Sequence, residues 1–352
     1  MLSVLPGALA AASTRLVKNA TALPQVGEFF RFVDPATEAP VVRLTNPATT
    51  SLLPASSNRF VSSKRRFLIF SSDRTGMPAP FEVDLRTGRL RQLGETSHLR
   101  TDSLSMDTKA RVLYFIERGA LKEVTLANLK ARTLADDVTA FDVGTSASDA
   151  VVVKRDRLED LNRGIWPSAD HLSSASRVLL RPNGSGCFFS RDLAPGEREF
   201  WYAPFPPGSK PTLLARGRIS NPFWSPDGHS LLFLRDVEKN VLLSEVHEVV
   251  PESGVEQPVA PTSQFVAFAP NGDASVFVGA SRSKAQPNVI LLLRSVQREL
   301  TLCEHQASHP LSVSPVFSPD SRRVYFQSDH QGKSALYSVN VEKLVEPTPA
   351  SY

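Results

Sequence analysis

Phe223-Trp-Ser-Pro-Asp-Gly228 stands directly ahead of a short apolar run, Leu231-Leu-Phe-Leu234. Proline presets φ for a tight turn, and a following glycine accepts the positive φ that such turns demand. The same punctuation returns along the chain. Phe317-Ser-Pro-Asp320 precedes Val324-Tyr-Phe326, and Phe268-Ala-Pro-Asn-Gly272 precedes Val276-Phe-Val278. A weaker copy, Leu180-Arg-Pro-Asn-Gly184, leads into Cys187-Phe-Phe189. Towards the N-terminus, Phe67-Leu-Ile-Phe70 is followed by Phe81-Glu-Val-Asp-Leu-Arg-Thr-Gly88 and Leu90-Arg-Gln-Leu93, which supplies the outer half of the unit. The unit is a turn, a short strand, a polar loop, a strand, a Thr-Gly turn and a last strand. It recurs about every 45 residues, within the ~40–50 of four-stranded propeller blades. No segment carries a sustained helical period with caps. Two packed sandwiches would fit this regular recurrence less well. The expected fold is all-β: a seven-bladed β-propeller with blades near 59–93, 102–135, 138–172, 177–215, 219–260, 264–302 and 313–341.

The third blade is the poorest, because little strand character follows Val151-Val-Val153, and it is expected to lack outer strands. Phe30-Arg-Phe-Val-Asp34 with Val41-Val-Arg-Leu-Thr45 reads as the outer half of a blade. Asp34-Pro-Ala-Thr37 copies the outer turn Asp84-Leu-Arg-Thr87, so this N-terminal pair is expected to join the C-terminal blade and close the ring, leaving no long free sheet edge.

Composition narrows the function classes. The chain has 352 residues, 41% hydrophobic and 22% charged, with a formal net charge of +4. That excess is small, so nucleic acid is not the expected partner. No apolar run approaches the ~20 residues of a membrane span. Two cysteines, Cys187 and Cys303, exclude a disulfide framework and any Cys-x-x-Cys metal knuckle. Met1–Ser13 is apolar and ends in small residues, which resembles a secretory signal, but its first basic residue is Arg15. Residues 1–25 are therefore set apart as a signal or flexible arm, with a cytoplasmic chain favoured over an exported one. A single propeller is expected over 27–345 and a flexible tail over 346–352.

From about Gly27 to Leu344 the chain resembles the oligogalacturonate lyases, seven-bladed propellers in the style of the TolB-like and WD-like folds. The resemblance rests on Phe32-Val-Asp-Pro-Ala-Thr37 with Val42-Arg-Leu-Thr45, on Val83-Asp-Leu-Arg-Thr-Gly88, and on Phe223-Trp-Ser-Pro-Asp-Gly228. Leu302-Cys-Glu-His305 and Phe317-Ser-Pro-Asp320 with Phe326-Gln-Ser-Asp329 complete it. The blade punctuation is common to many propellers; Leu302-Cys-Glu-His305 followed by a His-Pro pair is more specific. The resemblance implies β-elimination on short oligogalacturonides. A base takes the proton α to a uronate carboxylate, and a divalent cation, manganese in that family, neutralises the carboxylate.

The family's functional positions are altered here. Its His-Glu-Phe-Trp motif reads Asn221-Pro-Phe-Trp224, and its histidine base falls near Ser176-Arg177, on Arg177. Its Gln-x-x-His-Pro-His motif has two readings. Gln306-Ala-Ser-His309-Pro-Leu311 keeps Gln306 and His309 as metal ligands and puts Leu311 at the last one. Counted back from Phe317, Ser312 and Ser314 occupy the histidine positions and His309 replaces the glutamine. Neutral asparagine is a poor substitute for imidazole at such a site.

In a propeller, the residues just ahead of each inner strand line the top of the central channel. That places Arg59, His98, Arg100, Asn221 and His305 as substrate-binding candidates, with Arg177 at the base position. Arginine forks suit an anionic sugar acid, although loop arginines also pair with neighbouring carboxylates. Other chemistries are excluded. His247-Glu248-Val-Val-Pro251 lacks the second histidine of a zinc protease. Gly-x-Ser-x-Gly and phosphate-cradling glycine loops are absent. The Asp-Gly pairs are turns, not calcium ligands. Two readings follow: recognition of a uronate-containing oligosaccharide or acidic peptide, with or without β-elimination, and a non-catalytic interaction platform.

Overall fold

A computed structural model describes residues 27–348, apart from 65, 156, 167–174, 238–239 and 263. Residues 1–25, set apart above, lie outside the described residues. Seven antiparallel sheets follow one another along the chain. Blades one to six span 51–92, 105–135, 138–165, 175–217, 219–262 and 265–304. The seventh takes Val316–Phe317, Arg323–Ser328 and Ala335–Asn340 from one end of the chain, and Pro40–Arg43 and Phe30–Val33 from the other. The protein is thus a seven-bladed propeller closed by its N-terminal strands. Among the described residues, no helix is long and apolar enough to cross a membrane.

The second strand of each blade reads as an unbroken apolar run because both its faces are covered by neighbouring blades. Leu68, Ile69 and Phe70 have no measurable exposure, and neither do Leu231, Leu232 and Phe233. The third blade is a correction to the sequence reading. It keeps four strands, Val138–Val143, Ala150–Lys154, Arg157–Asp160 and Gly164–Ile165, the outermost cut to two residues.

The repeated turn works through its first residue. Ser225 Oγ accepts the Ser230 amide at 2.9 Å and donates to Asp227 at 2.6 Å, while Gly228 takes φ 70°. Ser318 and Asp320 repeat the pattern with Ser321 at φ 58°. The sixth blade departs from the expected register. There Asn271 accepts the Val276 amide at 3.1 Å and Ala274 holds the positive φ, two residues beyond Gly272. Gly272 is needed for a different reason: a Cβ there would run into Thr348. Thr348 belongs to the expected tail, yet it is buried and shares a 2.5 Å hydrogen bond with Ser321.

Ring closure depends on a second turn. Asp34 Oδ1 accepts the amides of Ala36 and Thr37 at 3.1 and 3.0 Å and the Thr37 hydroxyl at 3.0 Å. Asp84 makes the same three contacts in the first blade. Asp34 does more, because its Oδ2 accepts the Glu304 amide at 2.9 Å and Thr37 donates to the Leu302 carbonyl at 2.8 Å. The closing strands are thereby tied to the outer strand of the sixth blade. On the other side, Glu28 pairs with Arg74 at 2.9 Å and accepts the Asn46 amide at 2.7 Å. Asp34→Ala strands several buried donors and is expected to cost about 3 kcal/mol, against about 1 kcal/mol for the more exposed Asp84→Ala. Urea denaturation of the two variants checks the difference.

The turn carboxylates also set the acid limb of stability. The Ser225 hydroxyl and the His229 amide hold Asp227 below its ordinary value. Burial pulls Asp84 and Asp273 up, but bonds from Thr87 and from Ser275 outweigh it and leave both lowered. A lowered folded value means stability that is fully present above the unfolded carboxylate value of ~3.9 and lost as pH falls below it. The urea midpoint should therefore drop steadily below about pH 4, and less steeply in Asp227→Asn.

Candidate functional site

The inner strands do not run straight into the channel. Those of blades three to six each carry one bulge, between Val138 and Ala140, Ala175 and Arg177, Ser220 and Phe223, and Phe265 and Ala267. A bulge bends the strand and re-aims the side chains beside it. In the first and second blades the inner strand is interrupted instead. Val61 bridges Leu68 and Leu99 bridges Glu117, each apart from the short strand Ser51–Leu52 or Ser105–Met106. Asn58 ties the two interruptions together by donating to the carbonyls of Asp102 and Leu104, both at 3.1 Å.

These irregularities deliver three arginines to the axis. Arg59 of the first blade donates to the Met106 carbonyl at 3.0 Å, to the Val143 carbonyl, and to Asp142 at 3.4 Å. Arg177 of the fourth blade donates to the Ser57 hydroxyl. Blades one and four are not neighbours in the ring, so this bond crosses the channel. Arg100 forks onto Asp102 at 2.9 and 3.4 Å and donates to the Thr139 carbonyl. Among the described residues, three guanidiniums thus face two carboxylates, leaving one positive charge in excess. Above this bracing lies a mouth of about 50 Å³ lined by Asn58, Arg100, Asp102, Ser176 and Arg177.

Burial sets the charge states. It pulls the Arg177 guanidinium below its ordinary value, against the pull of Asp102 and Asp142. It pushes the Asp142 carboxyl up, against Arg59 and the amides of Leu180 and Val143. The Nε of Arg177 is buried and has no hydrogen-bond partner among the described residues. A guanidinium is not deprotonated in proteins, so Arg177 carries its charge at neutral pH.

A second space opens on the same face, between blades four to six and the Pro310–Ser312 turn. It has a volume of about 510 Å³ and is lined by Arg198, Arg218, Asp236, Arg282, Lys284, His309 and Leu311. That is the size of a small-ligand pocket. Asp236 pairs with Arg218 at 3.0 Å and approaches Arg282 at 3.9 Å, and Asp192 pairs with Arg198 at 2.8 Å. Four basic side chains again outnumber the carboxylates that meet them. Arg198 of the cleft lies near enough to act electrostatically on Arg177 of the mouth.

The sequence candidates divide across this surface. Arg100 and Arg177 line the mouth, Arg59 belongs to the bracing beneath it, and His309 lines the cleft. Asn221 sits at the fifth-blade bulge with φ 52°, its amide donating to Ser220 at 3.1 Å and to the Val266 carbonyl at 3.3 Å. His98 is exposed and accepts from Arg118 at 3.1 Å, lining neither space. His305 is fully buried, with Nδ1 accepting the Ala307 amide and Nε2 on the Ser281 carbonyl, so it wedges the sixth blade against the seventh. His247, from the broken protease motif, lies between Glu256 and Glu245 within the fifth blade. Sequence reasoning missed Asp142, Arg198, Arg218, Arg282 and Lys284. Arg218 directly precedes an inner strand and obeys the rule already in use; Asp142 lies within the inner strand of the third blade, and Arg198, Arg282 and Lys284 enter from the second and third strands.

The expected metal site does not assemble. Among the described residues, no three His, Cys, Asp or Glu side chains stand together to hold a metal ion. Gln306 turns its amide onto Glu304 at 2.6 Å, and Asn221 spends its amide on protein partners. His309 contributes one imidazole beside arginines, a poor neighbourhood for a cation. These residues do not fit a manganese-type site.

No protein-family model matches the chain, and neither does any curated protein sequence. Among solved structures, an oligogalacturonate lyase from Vibrio parahaemolyticus is similar over 90% of this chain and 98% of its own, with a TM-score of 0.78 and 18% identity. An oligogalacturonate lyase in complex with manganese is similar over 90% and 97%, with a TM-score of 0.77 and 17% identity. A hydrazine synthase structure from Kuenenia stuttgartiensis follows with a TM-score of 0.56 at 14% identity, over 81% of this chain and 95% of its own. The fold is that of the oligogalacturonate lyase propellers. Titration with manganese should reveal no site tighter than about 1 mM, since a lone imidazole or amide donor gives little affinity. Calorimetry at neutral pH checks it.

Proposed function

We propose that this propeller binds the carboxylates of uronate-containing, pectin-type oligosaccharides on its top face through arginine rather than metal. The observation that carries the reading is Arg177, buried at the mouth with an unpartnered Nε and one net positive charge around it. A guanidinium fork accepts a carboxylate through two parallel bonds. The adjoining cleft is large enough for further sugar units and carries the same sign of charge. The likeness to the lyase structures supports the substrate class, and the poor metal donors argue for recognition in place of metal-assisted elimination. Arg177, charged at neutral pH, clamps a carboxylate instead of accepting a proton.

Calorimetric titration with trigalacturonate tests this. Arg177→Ala should weaken binding by roughly 10- to 150-fold, equivalent to ~1.5–3 kcal/mol for a charge-assisted bond. Asp102→Asn frees Arg100 and should strengthen it. The methyl-esterified trimer should bind wild type no better than trigalacturonate binds Arg177→Ala. Chelator should change nothing, and salt should weaken binding as the ~8 Å Debye length of physiological ionic strength shrinks. Equal affinity for acid and ester would overturn the reading. A conjugated ultraviolet absorbance that grows with time would replace it with β-elimination.

A further inference from the structure

A third space lies far from the mouth, on the seam where the closing blade meets the first blade. Its volume is about 640 Å³. Arg31, Lys64, Arg86 and Arg323 line it, and no carboxylate does. Among the described residues, none of the four has an acidic partner within 4.0 Å, although Asp84, locked in its turn, lies electrostatically near Arg86. Its floor is apolar: Phe29, Val42, Leu44, Leu85 and Tyr325. Arg31, Val42, Ser338 and Tyr325 are cross-strand partners in register, so they form one row across the closing sheet. Val33, two residues beyond Arg31 on the same face, is 61% exposed.

The strand directions place this groove on the underside. Arg323 begins the second strand of its blade and Asn340 ends the third, while Lys64 and Arg86 lie in turns at that same end of the first blade. It is therefore separate from the mouth and the cleft, and it stands or falls apart from the reading of the top face.

We propose that this seam is a docking groove for an acidic peptide segment of a partner protein carrying aliphatic or aromatic anchors. Four cations without paired carboxylates select negative charge. The apolar floor selects side chains that sugars lack, and neutral polar groups are few there: Ser338, Asn340 and the Tyr325 hydroxyl. Residues 1–26 contain Arg15 and Lys18 and no acidic residue, so the chain's own arm has the wrong sign.

The test uses the full chain and a short fluorescein-labelled peptide alternating glutamate with leucine, followed by anisotropy. Saturable binding is expected, weakened about tenfold by Arg31→Glu and by Lys64→Glu, each at an exposed position. Arg177→Ala should leave it unchanged. Hydrogen exchange should show peptide-dependent protection at 30–43 and 335–340. No saturable binding, or wild-type affinity in both charge-reversal variants, overturns the proposal. So does displacement of the peptide by trigalacturonate, which would assign it to the top face. Protection of residues 1–26 in the free chain would make the arm the occupant, and dimerisation on sedimentation would make it a second copy; either result also overturns it.

Discussion

The pairing of Pro40–Arg43 with Ala335–Asn340 is the constraint on which everything else rests. Val41 faces Val339, Val42 faces Ser338 and Arg43 faces Tyr337. Without that ladder the seventh blade would end as a three-stranded sheet and the first blade would lose a neighbour. The remaining pairings are local hairpins, formed between strands adjacent in the chain. This one joins residues separated by almost the whole sequence, so it pays the largest loop-closure entropy. The compensation is visible beside it. Asp34 reaches the sixth blade, Glu28 reaches the first, and Leu44 donates to the Leu336 carbonyl at 2.7 Å.

Closing the ring also makes the axis a place where distant residues meet. Once seven blades surround it, the first and fourth stand on opposite sides, and a side chain from one can reach the other. Arg177 and Ser57 do so. Arg59 reaches the third blade in the same way. These bonds narrow the channel beneath the mouth and leave the ligand-sized space on the upper surface. The bulges in the inner strands have the same purpose at shorter range, since a regular strand would send alternate side chains into the blade interfaces.

Much of the fold was legible because turn chemistry is local. Ser225 and Asp227 make their bonds within five residues, and Asp34 and Asp84 build the same turn from the same spacing. Where the turn can be built from other residues, legibility fails. Asn271 stands in for serine and Ala274 for glycine, so the proline of the sixth blade misled the register by two residues. The third blade misled in another way, because two residues are enough to complete a sheet whose inner strands are already buried. The candidate site was half legible. Arg59, Arg100 and Arg177 follow from the rule that inner-strand starts line the funnel. His305 obeys a similar rule and is nonetheless buried, because its imidazole satisfies a carbonyl and an amide between two blades. Asp142 could not be found this way. It matters through the Leu180 amide of the next blade and through Arg59, which reaches it from a blade that is not its neighbour.

The electrostatics of the mouth give the arrangement its direction. A guanidinium removed from water is costly unless its charge and its donors are matched. Arg59 and Arg100 meet that condition, the first with Asp142 and two carbonyls, the second with Asp102 and one. Arg177 does not. It shares both carboxylates at a distance, bonds one hydroxyl, and keeps a buried Nε without a partner. An anion at the mouth would supply the missing acceptor and cancel the excess charge in a single contact. Anything that binds only the folded state stabilises it, so the same bond that recognises a carboxylate would relieve the least satisfied charge in the channel. A metal ion in that position would do the opposite, adding positive charge where positive charge already exceeds its partners. The blades match the oligogalacturonate lyase propellers in fold, while the charge beside their bulges supports the proposed acidic ligand over a cation.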